Sequence, residues 1–362
     1  MPRATSSGAA TLRGLASALP AALLDGFRRG RELALPAESG PVDFYVAGMG
    51  GSGIAAELAR GVLETETRLR LTTVRGSSSP PSLSARSRVF LVSYSGDTWE
   101  TLRAYEAAGR ANSYRIVLTS GGQLAEAAGR DRVPLLPIPS GLPPRAAVGH
   151  LLGGILGILD PWFPESNDER LRRITERLPT TIASYARANG VADRLAASIG
   201  PRVPIVYAES SFVGLARRWK TQFEENAKRL AGFDELPELL HNAIVAWDAL
   251  PAEEGKRYAV VLLEWSGIAP LLRQSSLYLE RLLKSKGVIV LRVPLAPEDR
   301  LEALLQGLAL GDHVSLFLAD RAKVDPLPVE AIARLKAALT PPAPGSKRSS
   351  RASPPLRSRS LR

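Results

Sequence analysis

There is no cysteine among the 362 residues. Disulfide staples, thiolate metal sites and a cysteine nucleophile are therefore excluded. Histidine is nearly as scarce: His150, His241 and His313 are the full set. A histidine-built metal centre has little to draw on, and neither metal nor cofactor is expected. Long apolar runs are also missing. The longest, Ala146 to Leu159, is interrupted by His150 and is too short to cross a bilayer. No apolar core of about 7–15 residues follows the basic residues of MPRATSSGAATLRG, so no secretory leader is expected. These absences point to a cytoplasmic protein with no membrane association.

What is present is ordinary for a soluble globular chain: 45% hydrophobic and 23% charged residues, at a length comfortable for two domains. The net charge of +11 is uneven. Pro341 to Arg362 hold six Lys or Arg and no acid, which leaves +5 for the remainder. A tail of Pro, Ser and Arg cannot bury enough apolar surface to fold. It reads as a solvated end rather than as a nucleic-acid-binding arm.

Residues 1–40 read as a helical lead-in. Strand and helix patterns then alternate: Val42–Gly48, Leu69–Val74, Arg88–Tyr94, Tyr114–Ser120 and Val133–Pro137 as strands, with helices at Ile54–Leu63, Asp97–Ala111 and Gln123–Gly129. A helical stretch, Arg145–Arg187, leads into a second alternation. Its strands are Pro204–Ala208, Tyr258–Leu263 and Val288–Val293, and its helices include Gly214–Leu230, one reaching Lys286, Glu298–Ala309 and beyond, and Val329–Leu339. Short apolar strands separated by helices predict parallel sheets covered on both faces. The halves echo one another: VFLVSYSG (89–96) resembles VVLLEWSG (260–267), and FYVAGMGGSG (44–53) faces PIVYAESSFVG (204–214), where most glycines are gone. This predicts a duplicated domain whose second copy has lost an anion site. The expected boundaries are 41–160 and 161–340, with 341–362 as the basic tail.

Gly48-Met49-Gly50-Gly51-Ser52-Gly53 follows a strand and opens a helix. Glycines admit backbone N–H groups close to an anion, and a helix N-terminus favours negative charge. The same spacing fits a dinucleotide fingerprint, which needs an acid about 20 residues on; the strand Leu69–Val74 and the Arg-Gly after it offer none. A glycine run alone is also compatible with a simple tight turn. The second element is more specific. Ser93-Tyr94-Ser95-Gly96-Asp97-Thr98 also lies between a strand and a helix. An N-cap explains one of its hydroxyls but not three, and Asp97 serves well enough as that cap. Two hydroxyl-bearing helix starts suggest a monophosphate gripped by neutral donors without a metal.

The pair GMGGSG and SYSGDTWET resembles the sugar-isomerase (phosphosugar-binding) domain, which implies that Gly51, Ser52, Ser93, Ser95 and Thr98 hold the phosphate. In the second half, Glu224-Glu225-Asn226-Ala227-Lys228 is followed by LPELLHNAIVAW (236–247). Adjacent glutamates ordinarily form a solvated helix face, and a lone histidine ordinarily serves packing. Together, however, these segments resemble the bifunctional phosphoglucose/phosphomannose isomerases of archaeal type. So do GLPPR (141–145), DHVSLFLAD (312–320) and VDPLPVEAIARLK (324–336), and the likeness runs from about residue 40 to 340. It implies two sugar-isomerase-type doubly wound α/β domains, each a mainly parallel sheet flanked by helices. It also implies an aldose–ketose isomerase of hexose 6-phosphates, working as a homodimer with shared active sites. By position, Glu225 is the proton-shuttling base and His241 assists ring opening from the neighbouring subunit. Lys336 serves ring opening or polarisation, and Arg145 contacts the substrate and stabilises the enediolate. Without the resemblance, Arg145 and Lys336 would read as surface residues. Leu240 and Ala243 depart from the family pattern beside His241.

Two competitors are weaker. A non-catalytic sugar-phosphate-binding regulator would not need Glu225, His241 and Lys336 together. An amidotransferase-type synthase typically needs a cysteine.

Overall fold

The structure is a computed structural model that describes residues 7–33, 35, 43–67, 69–76, 82–295 and 297–339. The basic tail and the expected strand start at Val42 lie outside the described residues. The chain divides into two compact units, Met1–Leu327 and Pro328–Arg362.

In the first unit, helices α1 (Ser7–Ser17) and α2 (Leu19–Glu32) precede β1 (Asp43–Gly48). There follow α3 (Gly50–Glu66), β2 (Leu71–Val74), β3 (Ser87–Val92), α4 (Trp99–Arg110), β4 (Tyr114–Thr119), α5 (Gly122–Asp131) and β5 (Leu135–Pro137). Helices α6 (Val148–Ile158), α7 (Asn167–Tyr185) and α8 (Val191–Ile199) lead to β6 (Val203–Glu209) and α9 (Val213–Glu225). Then come β7 (Gly232–Leu236), α10 (Ala243–Ala249), α11 (Ala252–Gly255), β8 (Tyr258–Trp265), α12 (Pro270–Ser285), β9 (Ile289–Leu295) and α13 (Arg300–Ala322). The second unit carries α14 (Glu330–Leu339).

Among the described residues there are two sheets, ordered β2-β1-β3-β4-β5 and β7-β6-β8-β9, with every pairing parallel. The orders correspond. In each sheet the first strand sits between the second and the third, so β6 takes the place of β1 and β8 that of β3. These are the segments whose sequences echo one another. The register sets Val46 opposite Phe90 in one sheet and Val206 opposite Val261 in the other. Every residue of β3 is buried, as a strand covered on both faces requires. The connection after β1 runs toward β2 and the connection after β3 runs the other way toward β4, which opens a crevice at the C-terminal ends of β1 and β3.

One core joins the inner faces of both sheets through α3, α6, α9 and α13, and smaller clusters lie under α4 and α5 and under α10 and α12. Trp219 on α9 is fully buried, donates from Nε1 to the Gly307 carbonyl at 2.8 Å, and meets Phe223 edge-on. Its truncation to alanine should cost about 3–5 kcal/mol of stability, read as a lowered midpoint in denaturant. The 23-residue α13 is long and apolar enough to cross a membrane, but 89% of that window is buried inside the protein. It is a core helix, and a longer apolar helix than the sequence run at Ala146–Leu159.

Several expected boundaries move. The stretch 145–187 is not one helix. It breaks at Asp160–Trp162, where Pro161 follows α6 and the Asp160 carboxylate accepts from the Asn167 backbone N–H at 2.8 Å. The helix expected over Gly214–Leu230 ends at Glu225, and Lys228 takes the left-handed conformation at φ 56°. β7 has no counterpart among the expected strands.

Candidate active site

The two loops at the β1–β3 crevice are tied together. The Tyr94 backbone N–H donates to Ser52 Oγ at 3.2 Å. Ser93 Oγ donates to Thr98 Oγ1 at 2.9 Å and accepts from the Gly96 N–H at 3.1 Å. Gly96 is required by geometry: its φ is +73°, and a Cβ there would fall 1.8 Å from the Gly121 carbonyl oxygen. Neither α3 nor α4 receives a side-chain cap at its N-terminus, although Thr98 occupies the N-cap position of α4 in extended conformation. The first N–H groups of both helices therefore face the crevice without a side-chain acceptor, as an anion site requires. Asp97 is not the cap of α4. Its carboxylate accepts instead from the Gln123 N–H at 3.1 Å, so it steadies the first turn of α5.

A second layer closes over this cradle. The Tyr94 hydroxyl donates to the Pro139 carbonyl at 3.1 Å and accepts from the Leu142 N–H at 2.7 Å. This draws the segment ending in Pro143-Pro144-Arg145 across the loops. Gly51 leaves room for it, since a Cβ there would stand 3.2 Å from the Pro144 oxygen and 3.3 Å from Arg145 Cα.

Arg145 is 3% exposed. Its Nε donates to Asn226 Oδ1 at 2.8 Å, and its Nη2 donates to the Pro326 and Leu327 carbonyls at 2.7 and 3.1 Å. Its Nη1 stands 3.7 Å from Glu225 Oε2. Burial pulls the guanidinium below its ordinary pKa, and the Glu225 carboxylate opposes that pull. Glu225 reaches this place because α9 packs antiparallel to α3. Gly214 near the start of α9 lies against Glu57, and Gly61 late in α3 lies against Ser211. The end of α9 thus meets the start of α3, where the cradle is. The buried Glu57 carboxylate fixes the packing between Arg75 and Arg217, each at 2.9 Å. Breaking such a buried pair from one side is expensive.

The chain therefore brings together Gly51, Ser52, Ser93, Ser95, Thr98, Arg145 and Glu225. It does not bring His241 to Glu225. His241 is exposed and ends a short turn after β7, whereas Glu225 precedes that strand. The two stand at opposite ends of β7, which is about 13 Å long at ~3.3 Å per residue. Lys336 belongs to α14, and its side chain lies outside the described residues. Among the described residues, no group of three or more His, Cys, Asp or Glu could hold a metal ion.

Residues 188–339 match the family described as the bacterial phospho-glucose isomerase C-terminal SIS domain. A bifunctional phosphoglucose/phosphomannose isomerase of Aquifex aeolicus is 31% identical over 290 residues, which are 80% of this chain and 88% of that protein. The chain belongs to the bifunctional phosphoglucose/phosphomannose isomerase family. A member of the same name from Caldicellulosiruptor bescii is 29% identical over 328 residues, covering 88% of this chain and 96% of that one. In fold, the chain resembles a hypothetical protein of Thermus thermophilus, with a TM-score of 0.68 over 92% of this chain and 90% of that one at 16% identity.

In this family member the second sheet has no cradle at the corresponding place. β6 ends in Glu209 rather than in glycine, and that carboxylate pairs with Arg300 at 3.1 Å. The Arg300 guanidinium also donates to Ser211 Oγ and lies 4.0 Å from the Trp265 ring centroid. The Glu209–Arg300 pair and the Trp265 ring occupy the ends of β6 and β8, where the first sheet carries its glycine-rich and hydroxyl-rich loops.

The residues that the sequence did not single out are Tyr94, Asn226, Asp312 and Ser315. Asn226 lay inside a quoted segment, but nothing local distinguished it from a helix-end residue.

Proposed function

We propose that this isomerase interconverts glucose 6-phosphate and mannose 6-phosphate with fructose 6-phosphate, by proton transfer between C1 and C2 through an enediol. The observation that carries the proposal is the placing of one carboxylate, Glu225, and one buried cation, Arg145, beside a hydroxyl-rich anion cradle.

The phosphate lies across the starts of α3 and α4, with Ser52, Ser93, Ser95 and Thr98 as donors. This anchors the sugar so that C1 and C2 face Glu225. Glu225 takes the proton from C2 of the aldose, and the electron pair moves to form the enediolate. Arg145 Nη1 stabilises the oxygen on which charge develops. A proton passes from O2 to O1, and Glu225 then returns its own proton to C1 as the C2 carbonyl forms, which gives the ketose. In reverse, protonation of C2 on either face gives the glucose or the mannose epimer. His241 of a neighbouring subunit and Lys336 open the ring. The working unit is a homodimer. Its contact surface is the face where His241 is exposed, next to Val245 on α10 and Leu271 and Tyr278 on α12, all of them exposed apolar side chains. The protein works in the cytoplasm, since sugar phosphates carry charge that keeps them from crossing a bilayer.

Purified protein given fructose 6-phosphate should generate glucose 6-phosphate in a dehydrogenase-coupled assay, and mannose 6-phosphate should be consumed as well. Tight binding of these sugars with no turnover would favour a non-catalytic sensor. Replacing Ser93 and Ser95 together by alanine should raise KM sharply, because each lost bond to a charged group costs roughly 1.5–3 kcal/mol. An unchanged KM would remove the phosphate from this cradle.

A further inference from the structure

We propose that Asn226 and Ser315 form a proton-ordered relay that orients the Arg145 guanidinium, which makes both of them positioning residues for the enediolate step. This rests on the role given above to Arg145 and Glu225.

Asn226 is 2% exposed and Ser315 fully buried. Asn226 Oδ1 accepts from Arg145 Nε at 2.8 Å, Asn226 Nδ2 donates to Ser315 Oγ at 2.9 Å, and Ser315 Oγ donates to the Asp312 carbonyl at 2.6 Å. Both ends of this chain are fixed. The Asp312 carbonyl carries no proton, so Ser315 must donate to it and present lone pairs to Asn226. The amide must then point its NH2 group at Ser315 and its oxygen at Arg145, whose Nε can only donate. No other proton arrangement satisfies all three bonds. The guanidinium is planar, so holding Nε through Asn226 and Nη2 through Pro326 and Leu327 fixes the direction of Nη1. That direction is toward Glu225.

The same stretch of α13 also holds the Arg145 main chain. The Asp312 carboxylate pairs with Arg218 through two bonds of 3.1 and 3.0 Å, and Arg218 Nη1 donates to the Arg145 carbonyl at 2.9 Å. Asp312 therefore governs the backbone of Arg145 through Arg218 and its side chain through Ser315 and Asn226. The sequence segment DHVSLFLAD supplies both anchors.

The test uses Asn226→Asp and Ser315→Ala in the full-length protein, with fructose 6-phosphate as substrate and Arg145→Lys run in parallel. Asn226→Asp keeps the shape, loses the bond to Ser315, and sets a second carboxylate against Arg145. Its kcat should fall at least about 10-fold with KM within about twofold, the split expected when a transition-state contact is lost. The acid limb of its kcat profile should move to higher pH, because a second carboxylate on the same cation disfavours ionisation of the first. The other charged groups close by, Lys228, Arg218, Asp312 and Asp325, are unchanged. Ser315→Ala should lower kcat several-fold without moving the limb, since no charge is added. The position of the limb does not depend on how much of a sample is folded, so reduced stability cannot imitate the Asn226→Asp result; for both variants kcat is taken per folded protein, counted by circular dichroism against wild type. Wild-type kcat in both variants, or a loss confined to KM, overturns the relay. If Arg145→Lys is then inactive, the role of Arg145 stands and the relay alone fails. If Arg145→Lys is fully active, the reading of the site fails.

Discussion

Glu225→Gln is expected to lower kcat by about 10²–10⁴-fold while KM for fructose 6-phosphate stays nearly constant, the usual cost of losing a general base. The amide keeps the shape of the side chain and its approach to Arg145 but cannot accept the proton from carbon. The neighbouring glutamate is the control. Glu224 Oε2 pairs with Lys220 Nζ at 2.6 Å, one turn earlier on α9. A pair of this kind is worth about 0.3–0.5 kcal/mol of stability, so Glu224→Gln should leave kcat unchanged. Adjacent residues on a helix diverge by about 100°, and here one faces Arg145 while the other faces Lys220. If both variants keep wild-type kcat, or if Glu224→Gln is the inactive one, the base is misassigned.

The second large effect concerns sharing between subunits. Glu225→Ala and His241→Ala should each be nearly inactive alone. Mixed under conditions that allow subunit exchange, they should regain activity. In a symmetric dimer with equal mixing, half of the dimers are mixed and one of the two sites in each is intact, so about a quarter of all sites recover. The separation of Glu225 and His241 by the length of β7 is what makes this outcome expected. No recovery despite demonstrated exchange, or a fully active monomer in sedimentation, would place His241 in its own subunit's site or outside the chemistry.

Most of the strand framework could be read from the sequence, because buried parallel strands are short apolar runs and leave a strong local signal. β3, with Arg88-Val-Phe-Leu-Val, is such a run. β7 escapes this reading because Gly232-Phe-Asp-Glu-Leu has one apolar residue near its start and two acids, and as an edge strand it is only partly buried. Its pairing with β6, not its composition, makes it a strand. The end of α9 comes earlier than the pattern suggests because Asn226-Ala-Lys-Arg-Leu contains neither glycine nor proline, and Lys228 takes a left-handed conformation that a sequence pattern does not signal. The hydroxyls of the cradle were legible because they lie within six residues of one another at a helix start. The surroundings of Arg145 were not. Its partners Asn226 and Pro326 lie 81 and 181 residues away in sequence, and only the packing of α9 and α13 around the segment that holds Arg145 brings them together. Asp97 misleads for the opposite reason: its local signal as a cap is good, but the N–H it serves belongs to the next helix.

The most direct test of proton transfer through an enediol is turnover of fructose 6-phosphate in D2O, followed by NMR of the products. Wild-type protein should release glucose 6-phosphate and mannose 6-phosphate carrying deuterium at C2, because the proton held on Glu225 exchanges with solvent before it is returned. Glu225→Gln should give neither product at a comparable rate. Full conversion with no deuterium at C2, or undiminished deuterium incorporation by Glu225→Gln, would contradict the assignment of Glu225 as the base of an enediol isomerase.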